Sequence, residues 1–327
     1  MNYFLYKLKF TTPVHFGKSD SAQSLFGSRL NVAADTLFSA LCHTALEMGG
    51  TDQLDRLIEA AREGNLLLTD AFPWKNDEIY LPKPLYRRQQ VQKETDLSSK
   101  DRKAIKNLNW VPVSMMADLL TKMKEGDPFK ADQVDQQFGT LLLNEKAAVR
   151  TGGDARPYAV GTFYFREQAG LYFIAAVRSV EDGDVLGELV EALGLSGLGG
   201  KRSSGLGKFD LEDKILLNEP FDDETRWLFD TLEDQDHENL LLTTSLPKDD
   251  ELPVSLQGAS YLLTRRGGFV QSDHFAPEMR KKDVQYFFQA GSVFDHRFEG
   301  ELYEVSGGTG CHPVYRYSRP LFLGVSL

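Results

Sequence analysis

The stretch Gly194 to Phe209, GLSGLGGKRSSGLGKF, carries six glycines in the fourteen positions from Gly194 to Gly207, with Lys201, Arg202, Ser203 and Ser204 at its centre. Glycine permits positive φ and close approach of a ligand to the backbone, and successive N–H groups can face an anion. A Walker A reading fails: Lys201 follows Gly200, but the position five before Gly200 is Leu195, and Arg202 stands where Ser or Thr would bind magnesium. A dinucleotide fingerprint fails on context, because it needs strand, loop, helix and this loop follows a helix and precedes a strand. Two readings remain. One is a flexible Gly/Ser connection. The other, favoured by basic residues flanked by small ones, is a phosphate-tracking loop formed by Gly197, Gly199, Gly200, Lys201, Arg202, Ser203, Ser204, Gly205, Gly207 and Lys208.

Upstream, Phe4, Tyr6, Leu8 and Phe10 alternate with Lys7 and Lys9, the pattern of a half-buried strand ended by Pro13. Asp35 reads as the N-cap of a helix to about Met48, stopped by Gly49-Gly50, with Leu37, Phe38, Leu41, Ala45 and Met48 inward and Ser39, His43 and Glu47 outward. A second helix to about Arg62 and a short strand at Leu66 to Leu68 follow. Tyr158 to Phe165 and Leu171 to Val177 read as a hairpin around Glu167 to Gly170, then comes a helix near Val185 to Leu193, the glycine loop and a strand from Lys208. Strand, helix, hairpin, helix, strand is a βαββαβ unit. The expected fold class is α+β, with two ferredoxin-like (RRM-like) domains. The first spans 1–215, interrupted by an insertion at 83–156 that has little core of its own; the second, degenerate one spans 216–327. Strand candidates there are 240–244, 261–264, 269–271, 284–289 and 320–325.

The chain has 327 residues and a formal net charge of −11, which taken alone opposes nucleic acid. The acidity is local, however: Asp210 to Glu251 holds 15 acidic and 3 basic residues, and the remainder holds 33 acidic and 34 basic. Lys83 to Lys106 has 8 basic and 3 acidic residues. Phosphate binding follows the potential at the contact surface, so RNA is compatible with this balance. The acidic block reads as a solvated surface or as a docking face for a basic partner. No run approaches the ~18 apolar residues of a membrane span, and the N-terminus reads as part of the fold. The two cysteines, Cys42 and Cys311, lack CxxC spacing, so a reduced, cytoplasmic protein without a structural zinc site is expected.

A glycine-rich loop between the second helix and last strand of such a unit resembles the signature of the RAMP superfamily of CRISPR proteins. Four further segments narrow the resemblance: TTPVHFG after the first strand, ADTLFSAL opening the first helix, FFQAGSVF, and the ending HPVYRYSRPLFLGVSL. Together they resemble the Csm subunit 4 family of type III-A effector complexes. The resemblance spans both halves and is weakest between Lys83 and Arg156 and across the acidic block. It implies a non-catalytic subunit that holds the 5′ handle of the crRNA. The implied partners are the large polymerase/cyclase-like subunit, the RAMP backbone subunit and, indirectly, target RNA. The 83–156 insertion occupies the place of a thumb that displaces a base pair of the guide–target duplex.

On that reading the RNA-binding candidates beyond the glycine loop are His15, Phe16, Gly17, Arg150, Arg265, Arg266, His312 and Arg316. Phe16 reads equally as a stacking ring or as core. The rival reading is a metal-independent RAMP endoribonuclease with His43 or His15 as general base at a 2′-hydroxyl. No catalytic residue, cofactor or metal is assigned, since the sequence offers no group for the developing phosphate charge. A zinc site would need Cys42, His43, Cys311 and His312 to meet across the chain.

Overall fold

Strand β1 (Asn2–Phe10) lies at the centre of the largest sheet, and both of its faces are covered. Phe4, Tyr6 and Leu8 join one hydrophobic cluster, while Tyr3 and Leu5 join another on the opposite face. The half-buried strand expected from the alternation is therefore corrected. Lys7 is buried, its ammonium 2.7 Å from Asp77 and 4.2 Å from the Trp74 ring centre, so an ion pair and a cation–π contact replace solvent. The computed structural model describes residues 1–17, 22–85, 99–148, 156–272 and 274–327.

Helix α1 (Ala34–Arg62) kinks at Gly50, where the sequence placed a stop between two helices. Its N-cap is Ala33, without a side-chain cap, and the Asp70 carboxylate accepts the Ala34 N–H at 2.9 Å instead; Asp35, the expected cap, is engaged elsewhere. Then come β2 (Leu66–Leu68), β3 (Phe72–Lys75), β4 (Glu78–Pro82), α2 (Ser99–Asn107), β5 (Trp110–Pro112), α3 (Val113–Glu125), β6 (Gly139–Ala148), β7 (Arg156–Phe165) and β8 (Ala169–Val177). Helix α4 (Val180–Ser196) starts on a reciprocal Ser179–Asp182 capping box, and β9 (Phe209–Leu216) follows the glycine loop.

The main sheet runs β5-β4-β3-β8-β1-β9, with β2 also on β8, and the strand pairs are antiparallel. The hairpin expected from 158 to 177 is not formed. Strand β7 pairs instead with β6 in a separate ribbon, in register from Gly139↔Phe165 to Ala148↔Arg156. The neighbours of β8 are β1 on one side and β2 and β3 on the other. Helices α1 and α4 cover one face of this sheet through Leu37, Leu41, Leu189 and Leu193. The other face is covered by the insertion and by the C-terminal part of the chain. Leu108, Met116, Leu119 and Phe138 share a cluster with Leu240, Leu323 and Val325, so these residues are buried in a core shared with the C-terminal part of the chain.

Beyond β9 lie α5 (Asp223–Glu233), β10 (Glu238–Leu241), α6 (Leu252–Ser255), β11 (Leu263–Arg266), β12 (Gln285–Phe288), β13 (Val293–Phe294), β14 (Leu302–Glu304), β15 (Tyr315–Tyr317) and β16 (Phe322–Val325). A small antiparallel sheet β13-β10-β16 and two-stranded ladders β11–β12 and β14–β15 complete the fold. The acidic block is not simply solvated surface: α5 opens on an Asp222–Thr225 capping box and buries Leu228 and Leu232. Residue 269 takes part only in an isolated bridge to Lys281, so the strand expected at 269–271 is absent. Among the described residues no helix is long and apolar enough to cross a membrane.

Candidate nucleic-acid interface

The glycine loop is fixed, not floppy. Gly200 N–H donates to the His15 carbonyl at 2.9 Å, Gly207 N–H to Pro13 at 2.9 Å, and Leu198 N–H to Gly207 at 2.8 Å. The loop is thereby sewn to the segment leaving β1. Gly199 (φ +99°) and Gly207 (φ +81°) hold conformations that side chains disfavour, and a Cβ on Gly199 would sit 2.7 Å from the Phe16 ring. A Cβ on Gly207 would collide with the Leu198 carbonyl oxygen. Gly207→Ala is expected to destabilise by about 2–4 kcal/mol, combining left-handed strain with overpacking. A denaturant titration measures it; an unchanged midpoint would show that the loop relaxes freely.

This loop forms one edge of a cleft of about 820 Å³ that draws residues from both halves of the chain. His15, Phe16, Gly17 and Arg29 continue its wall from Gly199, Gly200 and Arg202. Asp35, Ser39 and His43 contribute the N-terminal part of α1, whose inward face is in the core. Lys83, Lys106 and Trp110 come from the insertion, and Arg266, Lys282, Gln289 and Arg316 from the C-terminal part. Among the described residues, seven lysines and arginines line the cleft against two carboxylates, Asp35 and Asp70. Asp70 is fully buried in contact with Ala34 and Thr244, and Asp35 pairs with Arg266, so the positive potential is concentrated here despite a net charge of −11.

Several expected contacts are placed differently. His15 is 5% exposed, and its Nδ1–H donates to the Gly161 carbonyl at 2.7 Å, so its ring anchors β7 to the wall. Phe16 is buried against Phe10, edge to face at 6.1 Å, so the core reading of that ring holds. Arg316 is 3% exposed; its guanidinium donates to the carbonyls of Asp283 at 2.9 Å and Arg266 at 3.3 Å and to Gln285 Oε1 at 3.0 Å. Arg316 is thus a buried strut between β15 and the β11–β12 ladder at the back of the cleft wall.

The remaining candidates are spread more widely. Arg266 lies in the cleft, donating through Nε to Asp35 Oδ2 at 3.1 Å and through Nη2 to Thr36 Oγ1 at 2.9 Å. Arg265, the neighbouring strand residue, has its side chain on the opposite face. Lys201 Nζ sits 5.1 Å from the Tyr158 ring centre. Ser203, Ser204, Gly205 and Lys208 are exposed on the loop, while Gly197 closes the end of α4. His312 bonds Ser272 Oγ through Nε2 and stacks edge to face on Phe275, outside the cleft lining. Arg150 lies outside the described residues.

Sequence reasoning missed Arg29, Lys282 and Trp110 as cleft residues, because nothing in local pattern ties them to the loop. Burial, chiefly, and then the Arg202 cation hold the His43 imidazole below its ordinary range; Glu47 opposes this, while Lys282 and His312 add to it. Burial likewise lowers Lys282, with Asp35 opposing and Arg316 and Arg266 reinforcing. Burial pushes the Cys42 thiol up to about 12, which keeps it protonated. Among the described residues no group of three or more His, Cys, Asp and Glu is arranged to hold a metal ion.

A family model described as the CRISPR Csm4 C-terminal domain matches residues 234–325. The protein described as "CRISPR system Cms protein Csm4" of Mycobacterium tuberculosis (strain CDC 1551 / Oshkosh) is 38% identical over 331 residues, covering 99% of this chain and 98% of that protein. One so described from Streptococcus thermophilus is 33% identical over 327 residues, covering 98% of each. The crystal structure of a Csm3–Csm4 subcomplex of the type III-A CRISPR-Cas interference complex superposes with a TM-score of 0.65 over 100% of both chains, at 16% identity. That of a Csm1–Csm4 cassette with AMPPNP gives 0.60 over 100% of this chain and 99% of the other, at 17% identity. The class is therefore that of RAMP-type subunits of type III CRISPR complexes. Within it, the chain belongs to the Csm4 family.

Proposed function

We propose that this chain is a non-catalytic RNA-binding subunit of a type III-A CRISPR interference complex, working in the cytoplasm. It holds the 5′ handle of the crRNA in the basic cleft and links the large polymerase-like subunit to the backbone subunit. The observation that carries this reading is the concentration of cations in a cleft built from both halves of an acidic chain. Solved relatives found with Csm3 and with Csm1 support the two protein partners.

Two ferredoxin-like domains, at 1–215 and 216–327, are part of the proposal. The order β9-β1-β8-β3 with both helices on one face fits the first, and β13-β10-β16 with α5 fits a reduced second. Strand β6 of the insertion, with Leu141, Leu142 and Leu143 exposed and paired to β7 just beyond it, is suited to act as the thumb on target RNA.

Arg202→Ala is expected to weaken binding of single-stranded repeat RNA and to flatten the slope of log affinity against log salt by ~0.7, the share of one neutralised phosphate on a single strand. Lys201→Ala tests the loop's second cation, which rests on the Tyr158 ring. Unchanged affinity and slope in the double variant would make the loop purely structural.

One observation favours a second reading. His43 lines the cleft with its imidazole held neutral near pH 7, and Arg202 and Lys282 act on it electrostatically. A base beside cations is what cleavage at a 2′-hydroxyl requires. Incubation with repeat RNA in EDTA decides between them. A single cut leaving a 2′,3′-cyclic phosphate, abolished in His43→Ala, would establish the endoribonuclease; stable RNA that remains bound fits capping.

A further inference from the structure

The cleft changes chemistry along its length. From the glycine loop its wall runs by direct contacts: Gly200 bonds His15, Arg29 N–H bonds Phe16 at 2.7 Å, and Val32 and Ala71 exchange backbone bonds at 3.4 and 2.7 Å. Next to Ala71, the Phe72 ring meets Trp110 with centroids 5.7 Å apart. The loop end is cationic. The Trp110 end adds to two lysines, Lys83 and Lys106, the half-buried indole with Pro82, Leu85 and Ala290, and two side-chain amides, Asn109 and Gln289.

This corner is a built junction. Pro82 pairs with Trp110 across β4 and β5, Lys83 N–H donates to the Asn109 carbonyl at 3.0 Å, and Leu85 N–H donates to Gly291 at 2.7 Å. It therefore joins the insertion to the C-terminal part at a fixed spacing. Asn109 Nδ2 donates to the Asn107 carbonyl at 3.3 Å and Gln289 Nε2 to the Leu263 carbonyl at 3.2 Å. With each N–H₂ so directed, each amide offers its oxygen to a ligand.

We propose that the Trp110 corner seats one unstacked nucleobase of the bound strand, the indole carrying its face while the Asn109 and Gln289 oxygens accept from its edge. The proposal rests on the cleft being an RNA groove and adds a base-reading subsite to it. Phosphates need cations and gain little from an indole, whereas every base has a π-face that stacks on an aromatic ring. Two acceptors select a base with an exocyclic amine over uracil.

The test uses the full chain and the RNA that co-purifies with it, resynthesised with a single abasic site at each position in turn. Wild-type protein is expected to bind roughly 5- to 100-fold more weakly at one position, the range of one base–aromatic stack. In Trp110→Leu that penalty disappears while the salt slope stays, and Trp110→Phe restores it. Asn109→Ala, at an exposed position, is expected to erase the preference for an amino-bearing base over uracil there. A flat abasic scan, or a penalty that persists in Trp110→Leu or survives unaltered in Asn109→Ala with its base preference, overturns the base seat and leaves the RNA groove standing. Absence of any salt-dependent RNA binding overturns both.

Discussion

Replacing Asp70 by alanine is expected to destabilise the fold by about 3–5 kcal/mol, because it strips three buried donors of their acceptor. Asp70 Oδ1 accepts from Ala34 N–H at 2.9 Å and Thr244 N–H at 2.8 Å, and Oδ2 accepts from Thr244 Oγ1 at 2.6 Å. The residue thus caps α1 and fastens the helix start to the chain beyond β10. Burial, the dominant cause, pushes the carboxyl up to about 6, with the bonds from Thr244 and Ala34 working against the shift and Asp35 adding to it. A folded-state value above the unfolded 3.8 means that the native protein binds the extra proton between those values. Stability from this group is therefore present below about pH 4 and falls as pH rises through about 6, by roughly 3 kcal/mol for a two-unit shift.

Asp70→Asn separates charge from hydrogen bonding. Its oxygen accepts both N–H groups while its amide donates to the rotatable Thr244 hydroxyl. The variant is expected to match wild type near pH 4 and to exceed it near pH 7.5 by about 1–3 kcal/mol, read from urea unfolding at the two pH values. A constant difference between the two proteins across that range would sink the account.

What was legible in the sequence followed from local rules. The β1 alternation, the α4 pattern and the glycine spacing each depend on near neighbours, and each places its element correctly. The hairpin at 158–177 failed because strand propensity cannot choose a partner. The run 156–165 satisfies its backbone with 139–148, a pairing set by the insertion as a whole. Val14 and Phe163 then exchange backbone bonds that hold this ribbon to the cleft wall. The insertion reads as having little core of its own because its apolar residues are sparse along the chain. They become a core only against Leu240 and Leu323 on the far side of the sheet.

The site was legible as a type of chemistry more than as a set of residues. Basic residues near the loop were visible, but exposure was not. Asp35 looked like a helix cap, yet Asp70, 36 positions from Ala34, fills that role and leaves Asp35 for Arg266. Trp110 and Lys282 sit in segments whose neighbours give no functional pattern, and only the tertiary closure of three parts of the chain brings them to one cleft.

Arg316→Ala is expected to unfold or loosen the C-terminal part of the chain, at a cost of about 3–5 kcal/mol, and not to behave as the removal of one phosphate contact. Its guanidinium reaches the Arg266 carbonyl on β11, the Asp283 carbonyl just before β12 and Gln285 Oε1 on β12, and lies 3.9 Å from Asp35. Arg316→Lys should rescue little of this, since an ammonium cannot reproduce a planar fork aimed at several acceptors. Asp35 holds the other side of the same network, paired with Arg266 and facing Arg316 and Lys282. Asp35→Asn keeps an acceptor but removes the charge, leaving three cations facing one another. It is therefore expected to lower stability by about 1–3 kcal/mol while raising the affinity and the salt slope of RNA binding, because the cleft becomes more positive. Thermal unfolding and RNA titration of this one variant should move in opposite directions. A parallel fall in both would mean that Asp35 holds the cleft in shape more than it tempers its charge.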